Sequence, residues 1–430
     1  MSIQTQPVKE PRTPGPKSGR RALRVGIFHP GTQHSWQVAL AFQESGQLAW
    51  YATSVFYDPA RWPYRIERYL PGGLSRRVGA EFRRRYSPLL DPSKVRRFGV
   101  HEWLESMTRR IGARSLSYWF NEAGNAAFGR AVIRLIEREP VDVVWGYNTS
   151  SLEVFRWAKL RGIRCVLDQT IGHPRVMNRV LGEERARHPE FCLDSYRPYS
   201  QTLIERQDEE AALADEVVCG CEAQARTIVE NGCPASKVRV IPHGYDETRF
   251  PEEAPRRQPL RGRPIRCLFA GVIDSRKGAA YLLPAFEQIP PERARLTMMG
   301  HLAIPARTFA RYAPHVEFLG QLPRSEVARH FLDADLFVFP SLFEGSALVL
   351  CEAIGAGLGI IQTVAAGNGA VNGVNGIVLQ TLSREGLVNA IKDATSDPDR
   401  ILEWQAASWS LRKNMRWSVA RERMRSLVGQ

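Results

Sequence analysis

The stretch LFVFPSLFEGSALVLCEAIGAGLGIIQT, residues 336–363, alternates between two kinds of predicted secondary structure. It begins and ends with apolar runs, which predict two buried strands. Between them the sequence predicts a loop carrying Glu344 and Gly345, followed by a helix that starts close to Ser346 and Ala347. Strand, helix and strand in this order are typical of a parallel sheet with crossover connections.

The same alternation recurs on both sides of this stretch. Before it, apolar runs rich in β-branched residues predict one set of strands at RVGIFHP (24–30), VDVVWGY (141–147), IRCVLDQ (163–169), DEVVCG (215–220) and VRVIPHG (238–244). A second set follows at IRCLFAGV (265–272), ARLTMMG (294–300), VEFLG (316–320), LFVFPS (336–341), LGIIQT (358–363) and NGIVL (375–379). The pattern predicts an α/β protein with two tandem Rossmann-like, doubly wound domains facing a cleft.

The domain limits follow from length and composition. A chain of 430 residues is too long for one core. Residues 251–264 hold four prolines and little to bury, which indicates a linker. We therefore expect a disordered basic tail at 1–22, a first domain at 23–250 and a second at 265–414. The helical periodicity near the end predicts a helix at 415–430 that packs back on the first domain.

The formal charge of +14 is unevenly distributed. The segment from Arg61 to Arg130 contains 15 basic and 6 acidic residues, together with many aromatic residues. Such a segment is compatible with an anionic membrane surface, with nucleic acid or with solvated helix faces. Because no nucleic-acid-binding fingerprint accompanies it, we expect no nucleic-acid partner. Peripheral association with the inner face of the cell membrane and a simple solvated surface both remain open.

Localisation and cofactor expectations rest on weaker signals. The first residues show no apolar segment of the secretion type, no apolar run is long enough to span a membrane, and the odd number of cysteines, seven, fits a reducing compartment. These features predict a cytoplasmic protein. Cys219 and Cys221 have no second pair that would complete a zinc site. Asp333 and Asp335 form an Asp-x-Asp pattern between a helix and a buried strand, which we interpret as structural, so no required metal or cofactor is expected.

Two loops carry the predicted chemistry. In LFAGVIDSRKGAAYLLPAF (268–286) a strand runs to Gly271 and a loop delivers Arg276 and Lys277 ahead of a helix, so a diphosphate would meet fixed cations and a helix N-terminus. In the other loop, Glu344 lies at a helix mouth and Glu352 about two turns further on, a spacing suited to separate parts of one extended ligand. Carboxylates accept hydrogen bonds from sugar hydroxyls well.

With these loops, two further stretches carry a family resemblance. They are ADEVVCGCEAQARTIVENGCPASKVRVIPHGYDETRF (214–250) and VEFLGQLPRSEVARHFLDADLFVFPS (316–341). The chain resembles the retaining glycosyltransferases of family four, the group 1 enzymes with the two-domain B-type fold that include bacterial mannosyltransferases. The resemblance implies a metal-independent transfer of a sugar from a nucleotide-diphosphate donor to an acceptor hydroxyl.

The resemblance also implies roles for individual residues. Glu344 would contact hydroxyls of the transferred sugar, Glu352 the donor ribose and Lys277 the diphosphate, with Arg276 as a further cation. His173, in DQTIGHP, resembles a family histidine near the reacting sugar, although a plain loop histidine fits almost as well. The remaining donor-binding positions are Gly271 at the end of its strand, the phosphate-capping backbone of Gly345, Ser346, Ala347 and Leu348, and Leu319 and Gly320 near the base.

Departures from the family pattern and competing functions complete the expectation. Val272 stands where many members have Arg, and Gly31 is a lone glycine where most have two. The acceptor is not identified by the sequence; a lipid-linked glycan in polysaccharide or glycolipid synthesis is one hypothesis. A sugar-nucleotide epimerase on the same fold, or a non-catalytic scaffold that binds membrane or nucleic acid, are the alternatives.

Overall fold

A computed structural model describes the chain over residues 22–31, 33–54, 56–57, 69, 87–98, 114–255 and 259–429, with the backbone alone for 114–124. All but the last residue of the predicted tail at 1–22, and most of the basic segment 61–130, lie outside these ranges. Their predicted disorder and membrane association stay predictions.

The first sheet consists of seven parallel strands in the order β3-β2-β1-β4-β5-β6-β7. These strands are β1 (Val25–His29), β2 (Leu48–Thr53), β3 (Val95–Arg97), β4 (Val143–Tyr147), β5 (Arg164–Gln169), β6 (Glu216–Cys219) and β7 (Val238–Val240). Every residue of β1, β2 and β4 is buried, because helices cover both faces of the sheet.

The second sheet has six parallel strands in the order β10-β9-β8-β11-β12-β13. They are β8 (Ile265–Ala270), β9 (Ala294–Met299), β10 (Val316–Gly320), β11 (Leu336–Phe339), β12 (Gly359–Thr363) and β13 (Gly376–Leu379). Both sheets reverse their strand order in the middle, at β1/β4 and at β8/β11. The predicted pair of doubly wound α/β domains is thereby confirmed.

Helices connect the strands in both halves. In the first half they are α1 (Ser35–Glu44), α2 (Arg114–Arg138), α3 (Leu152–Lys159), α4 (Pro174–Arg187), α5 (Gln201–Leu213) and α6 (Glu222–Val229). In the second half they are α7 (Ala279–Glu287), α8 (Ala306–Tyr312), α9 (Arg324–Asp333), α10 (Leu348–Gly355), α11 (Arg384–Ser396), α12 (Pro398–Leu411) and α13 (Trp417–Gly429). Among the helices of the described ranges, none combines the length and the apolar character that crossing a membrane requires.

The last helix, α13, returns to the first half of the molecule. Its residues Trp417 and Met424 share a core cluster with the strands of the first sheet, and Arg425 pairs with Glu44 of α1 at 2.8 Å. The crossing requires Gly244, because a Cβ there would lie 2.2 Å from the backbone nitrogen of Trp417. The chain passes between the two halves twice, once after Gly244 and once before Trp417, and these two segments pack directly against each other.

The structure differs from the sequence expectation in three local features. Strands β2 and β3 were not predicted. The helix predicted at 415–430 begins only at Trp417, and a 3-10 turn at Arg412–Met415 separates it from α12. Helix α10 begins at Leu348, slightly later than expected. The structural interpretation of Asp335 agrees with its environment, since its buried carboxylate accepts hydrogen bonds from Arg263 at 2.7 and 3.0 Å.

Candidate active site

The candidate site lies where the strand order of the second sheet reverses. Strands β8 and β11 are hydrogen-bonded neighbours there, and the loops 271–278 and 340–347 leave from their adjacent carboxyl ends. Open α/β sheets bind ligands at such a switch point. The two loops are joined by the Leu342 N–H, which donates to the carbonyl of Arg276 at 2.8 Å. We name 271–278 the donor loop and 340–347 the glutamate loop.

The centre of the site is an ion pair between Lys277 and Glu344, whose side chains are 10% and 7% exposed. The same carboxylate oxygen of Glu344 accepts hydrogen bonds from Arg276 Nη1 at 2.9 Å and from Ser341 Oγ at 2.6 Å. Three donors thus converge on one carboxylate oxygen of Glu344. Motif positions had indicated Lys277, Arg276 and Glu344, whereas Ser341 was not predicted.

Electrostatics favour the ionised form of Glu344. Burial opposes ionisation of Glu344, but Lys277 and Arg276 outweigh it and lower the pKa of the carboxyl below its ordinary value. Burial lowers the pKa of Lys277, and the attraction of Glu344 works against that shift. A buried lysine beside a second cation will bind a further anion strongly if that anion can reach it.

The donor loop has a fixed internal structure. Gly278 has a φ of 78°, and a Cβ there would lie 2.1 Å from the carbonyl oxygen of Pro340. Asp274 accepts the Lys277 N–H at 2.8 Å, and its carbonyl accepts the Ala279 N–H at 3.1 Å. The N–H of Ala279, the first residue of α7, is therefore used within the loop itself. The expected contact between this helix terminus and a diphosphate stays a prediction.

Helix α10 presents a different terminus. Its N-cap residue, Ala347, makes no side-chain capping bond, and the helix begins at Leu348 directly after the glutamate loop. Uncapped first-turn N–H groups beside a helix dipole favour an anion. The segment that connects Glu344 to this helix terminus consists of Gly345, Ser346, Ala347 and Leu348.

Glu352 lies further along α10, facing a different cation. Its side chain is 21% exposed, and Arg249, from the segment that leaves the first domain, approaches it at 3.8 Å. Burial raises the pKa of Glu352 to about 7, against the opposing effect of Arg249 and Arg324. This carboxyl therefore titrates near neutrality while Glu344 stays ionised.

The glutamate loop is in direct contact with the first domain. Ile171 and Gly345 form an antiparallel bridge, and Cys221 Sγ donates to the Gly345 carbonyl at 2.9 Å. A Cβ at Gly345 would lie 2.1 Å from the Thr170 carbonyl oxygen, and one at Gly220 would lie 2.2 Å from Cβ of Ser346. Glycines at both contacts allow the two domains to close on this loop.

His173 has a structural environment within the first domain. It is the N-cap residue of α4, where its Nδ1 accepts the Arg175 N–H at 3.2 Å. Its Nε2 donates to Asp208 at 2.8 Å, and burial lowers its pKa below the ordinary value. Both ring nitrogens therefore have partners on the first domain. The predicted place of this histidine near the transferred sugar stays a prediction.

The other predicted donor positions lie around the second sheet. Gly271 follows β8 with a φ of 136°, and Lys277 Cε lies 4.0 Å from where a Cβ would stand. Leu319 and Gly320 end β10, which is the edge strand two positions away from β8. Val272 is 37% exposed. Because residue 272 is a valine, no cationic side chain stands at this position after β8.

A second cluster of ionisable groups lies below the carboxyl edge of the first sheet. His34 Nε2 donates to Asp168 at 3.1 Å, the other Asp168 oxygen accepts Trp145 Nε1–H at 3.1 Å, and the His34 and His243 rings are 4.1 Å apart. Burial lowers the pKa of His243 to about 3. The three groups His34, Asp168 and His243 have the donor atoms that could hold a transition metal.

Sequence reasoning missed several residues of the site. Ser341 and Asp274 stand in the two loops, but their partners depend on the loop geometry. Arg249 is distant from Glu352 in the sequence, and no local pattern connects them. Their positions in the sequence could have indicated two of these residues. Ser341 stands at the end of a predicted strand, and Asp274 precedes the basic pair Arg276 and Lys277.

Comparison with known protein families gives a match for each half of the chain. Residues 76–244 match the family described as glycosyl transferase 4-like domain, and residues 264–397 match the family described as glycosyl transferases group 1. The chain belongs to the group 1 glycosyltransferases. The first range includes strands β3 to β7, and the second includes strands β8 to β13 with both loops of the candidate site.

Two curated relatives match part of the chain. Glycogen synthase of Mycobacterium tuberculosis is 28% identical over 182 residues, which cover 38% of this chain and 41% of that protein. The amylovoran biosynthesis glycosyltransferase AmsK of Erwinia amylovora is 26% identical over 149 residues, covering 32% and 36%. The chain thus spans about two fifths of the length of the curated relatives it matches.

Solved structures share the whole fold. Sucrose-phosphate synthase of Thermosynechococcus elongatus superposes with a TM-score of 0.67 at 16% identity, covering 95% of this chain and 98% of that one. HepE of Anabaena, solved in complex with UDP-glucose, has a TM-score of 0.61 at 13% identity, with 95% and 99% covered. At these identities the similarity demonstrates the two-domain architecture alone.

Proposed function

We propose that this protein transfers a glycosyl group from a nucleotide-diphosphate sugar to an acceptor hydroxyl. The observation that carries the proposal is the convergence of Lys277, Arg276 and Glu344 beside the uncapped start of α10. Family membership and the UDP-glucose complex of the HepE structure support a nucleotide sugar as the donor.

In the proposed donor complex, the cations exchange partners. The pyrophosphate contacts Lys277 and Arg276 from the cleft, and the N–H groups of Ser346 to Leu348 bind its second phosphate. Glu344, released from part of its ion pairing, then accepts hydrogen bonds from the hydroxyls of the transferred sugar. Glu352, in its ionised form, accepts them from the ribose.

The rate enhancement comes from charge placement. Negative charge develops on the leaving diphosphate as the glycosidic bond breaks, and cations fixed by the two loops stabilise it without reorganising. The buried setting of Lys277 and Glu344 makes each electrostatic contact stronger than it would be in water. No protein nucleophile is required for this step.

The stereochemistry and metal dependence follow the family resemblance. We propose transfer with retention, in which the acceptor hydroxyl attacks from the leaving-group face and a donor phosphate oxygen takes its proton. We also propose that the transfer needs no metal, since the cations of the donor loop supply the positive charge beside the diphosphate. His173 is not given a chemical role here, because both its nitrogens are engaged on the first domain.

The cellular setting is proposed more broadly. A cytoplasmic enzyme of cell-surface polysaccharide or glycolipid synthesis, peripheral to the inner membrane through residues 61–130, is consistent with the basic, aromatic composition of that segment. AmsK, the amylovoran biosynthesis glycosyltransferase, is one relative named for such a pathway. Liposome flotation without any preference for anionic lipids would remove the membrane part of this proposal.

The activity is tested by incubating the purified protein with radiolabelled nucleotide sugars, with and without an extract containing acceptors. We expect label to move to an extract component from one donor. Conversion of the donor to an epimer without any extract would instead support the epimerase alternative. Absence of both products across uridine, guanosine and adenosine diphosphate sugars would refute the proposal.

A further inference from the structure

A pocket of about 250 Å³ lies between the first domain and the donor loop. Its first wall consists mainly of apolar side chains of α4 and the following segment, together with Arg185 and Ser195. Its second wall is the donor loop. The residues used below are Met177, Leu181, Phe191 and Leu193 on the first wall, and Ser275 and Arg276 on the second.

The two walls of the pocket are held together because the segment after α4 makes hydrogen bonds to the second domain. Ser275 Oγ donates to the Phe191 carbonyl at 3.1 Å, and Cys192 Sγ lies 3.3 Å from the same hydroxyl. Nearby, Tyr281 of α7 donates to the buried Glu184 of α4 at 2.8 Å. These bonds hold both walls in one position when the domains are closed.

The pocket is directly connected to the candidate active site. Arg276 lines it, and the same guanidinium donates to Glu344 at 2.9 Å. A molecule whose apolar end fills the pocket would therefore present its other end within one side chain's length of the carboxylate proposed to contact the sugar. The base and ribose of the donor are assigned elsewhere, near β10 and Glu352.

We propose that this pocket binds an apolar aglycone, the non-sugar part of the acceptor, and so orients the acceptor hydroxyl toward the transferred sugar. The inference rests on the proposed function and adds the acceptor's chemical class to it. The walls are largely carbon, which selects an apolar group. A cavity of roughly 150 Å³ holds benzene, so this one has room for an aryl group or a medium alkyl chain.

Cys192 gives a direct readout of occupancy. It lines the pocket and is partly exposed, whereas the other six cysteines are buried. Its reaction with a coloured aromatic disulfide reagent can be followed in the full chain, with Cys192→Ser identifying the reacting thiol. We expect octyl glucoside, below its micelle concentration, to slow this reaction severalfold and methyl glucoside at the same concentration to leave it unchanged.

Substitutions in the wall provide the second test. Leu193→Asn, at a side chain that is 37% exposed, and Met177→Gln should both abolish the protection by octyl glucoside. Neither should change the thermal shift produced by the nucleotide sugar that the wild-type protein binds. If the two glucosides protect equally, or neither protects, the inference is wrong while the donor site stands. If no nucleotide sugar shifts any variant, the proposed function fails independently.

Discussion

The ammonium of Lys277 and the carboxylate of Glu344 form a buried ion pair at the junction of two loops from neighbouring strands. Arg276 and Ser341 contact the same carboxylate oxygen. The site therefore keeps its cations oriented before a donor arrives. In the proposed donor complex, a diphosphate competes with one carboxylate for these cations and so frees that carboxylate for the sugar.

Removing the lysine should abolish most of the transfer. We expect Lys277→Met to lower turnover by about 10²–10³, the scale for losing one donor that stabilises developing charge. The fold should persist, because Glu344 keeps Arg276 and Ser341 as partners. Lys413→Met, at an exposed lysine, is the matched control and should behave as wild type. Wild-type turnover in Lys277→Met would remove this residue from the mechanism.

Donor affinity should depend on pH through Glu352. Its pKa is raised to about 7 by burial, so it loses its charge as the pH falls from 8 to 6, while Glu344 stays ionised. Because the ionised form accepts ribose hydroxyls better, we expect affinity to fall by up to about tenfold over this range. A nucleotide sugar is the correct ligand, since its esterified phosphates do not titrate there. An unchanged pH slope in Glu352→Gln would contradict this assignment.

Domain closure should depend on the glycine contacts. The Cβ of Gly345→Ala would lie 2.1 Å from the Thr170 carbonyl oxygen, so the domains must separate. We expect turnover to fall by about a hundredfold, the scale of a 1 Å misplacement, and the radius of gyration to rise in X-ray scattering. Gly182→Ala, where a Cβ meets no atom within 4 Å, should change neither. Full activity in Gly345→Ala would show that this closed contact is not required.

Metal removal should leave the reaction unchanged. We expect dialysis against a chelator to preserve the transfer rate, because the donor loop supplies the charge beside the diphosphate. Loss of activity that a divalent cation restores would disprove this. Asp168→Asn would then decide whether the cluster of His34, Asp168 and His243 holds the ion.

Sequence patterning was sufficient for most of the fold because the central strands are buried on both faces. Their apolar, β-branched runs stand out from the amphipathic helices. Strand β3 (Val95–Arg97) is a short edge strand with two arginines, so it lacks that signal. The break at Arg412–Met415 contains neither proline nor glycine. It coincides with the crossing over Gly244 and Tyr245, a tertiary contact that local periodicity does not record.

The candidate site was predictable only in part. Motif positions identified Lys277 and Glu344, but their pairing depends on two loops leaving adjacent strands. The structure shows that the His173 ring caps α4 and binds Asp208, contacts that the resemblance did not suggest. Its predicted place near the sugar stays a prediction. Arg249 was missed because its partner Glu352 lies on another domain. Residue type and spacing predict the loops, whereas contacts between domains require the folded arrangement.

The central claim is that Lys277, Arg276 and the start of α10 hold the pyrophosphate of a nucleotide sugar. Calorimetric titration with uridine, guanosine and adenosine diphosphates, each compared with its nucleoside, tests it most directly. We predict that one diphosphate binds, that its nucleoside binds far more weakly, and that Lys277→Met loses at least about tenfold in affinity while Lys413→Met loses none. Equal affinity of the nucleoside and its diphosphate, or undiminished binding by Lys277→Met, would contradict the claim.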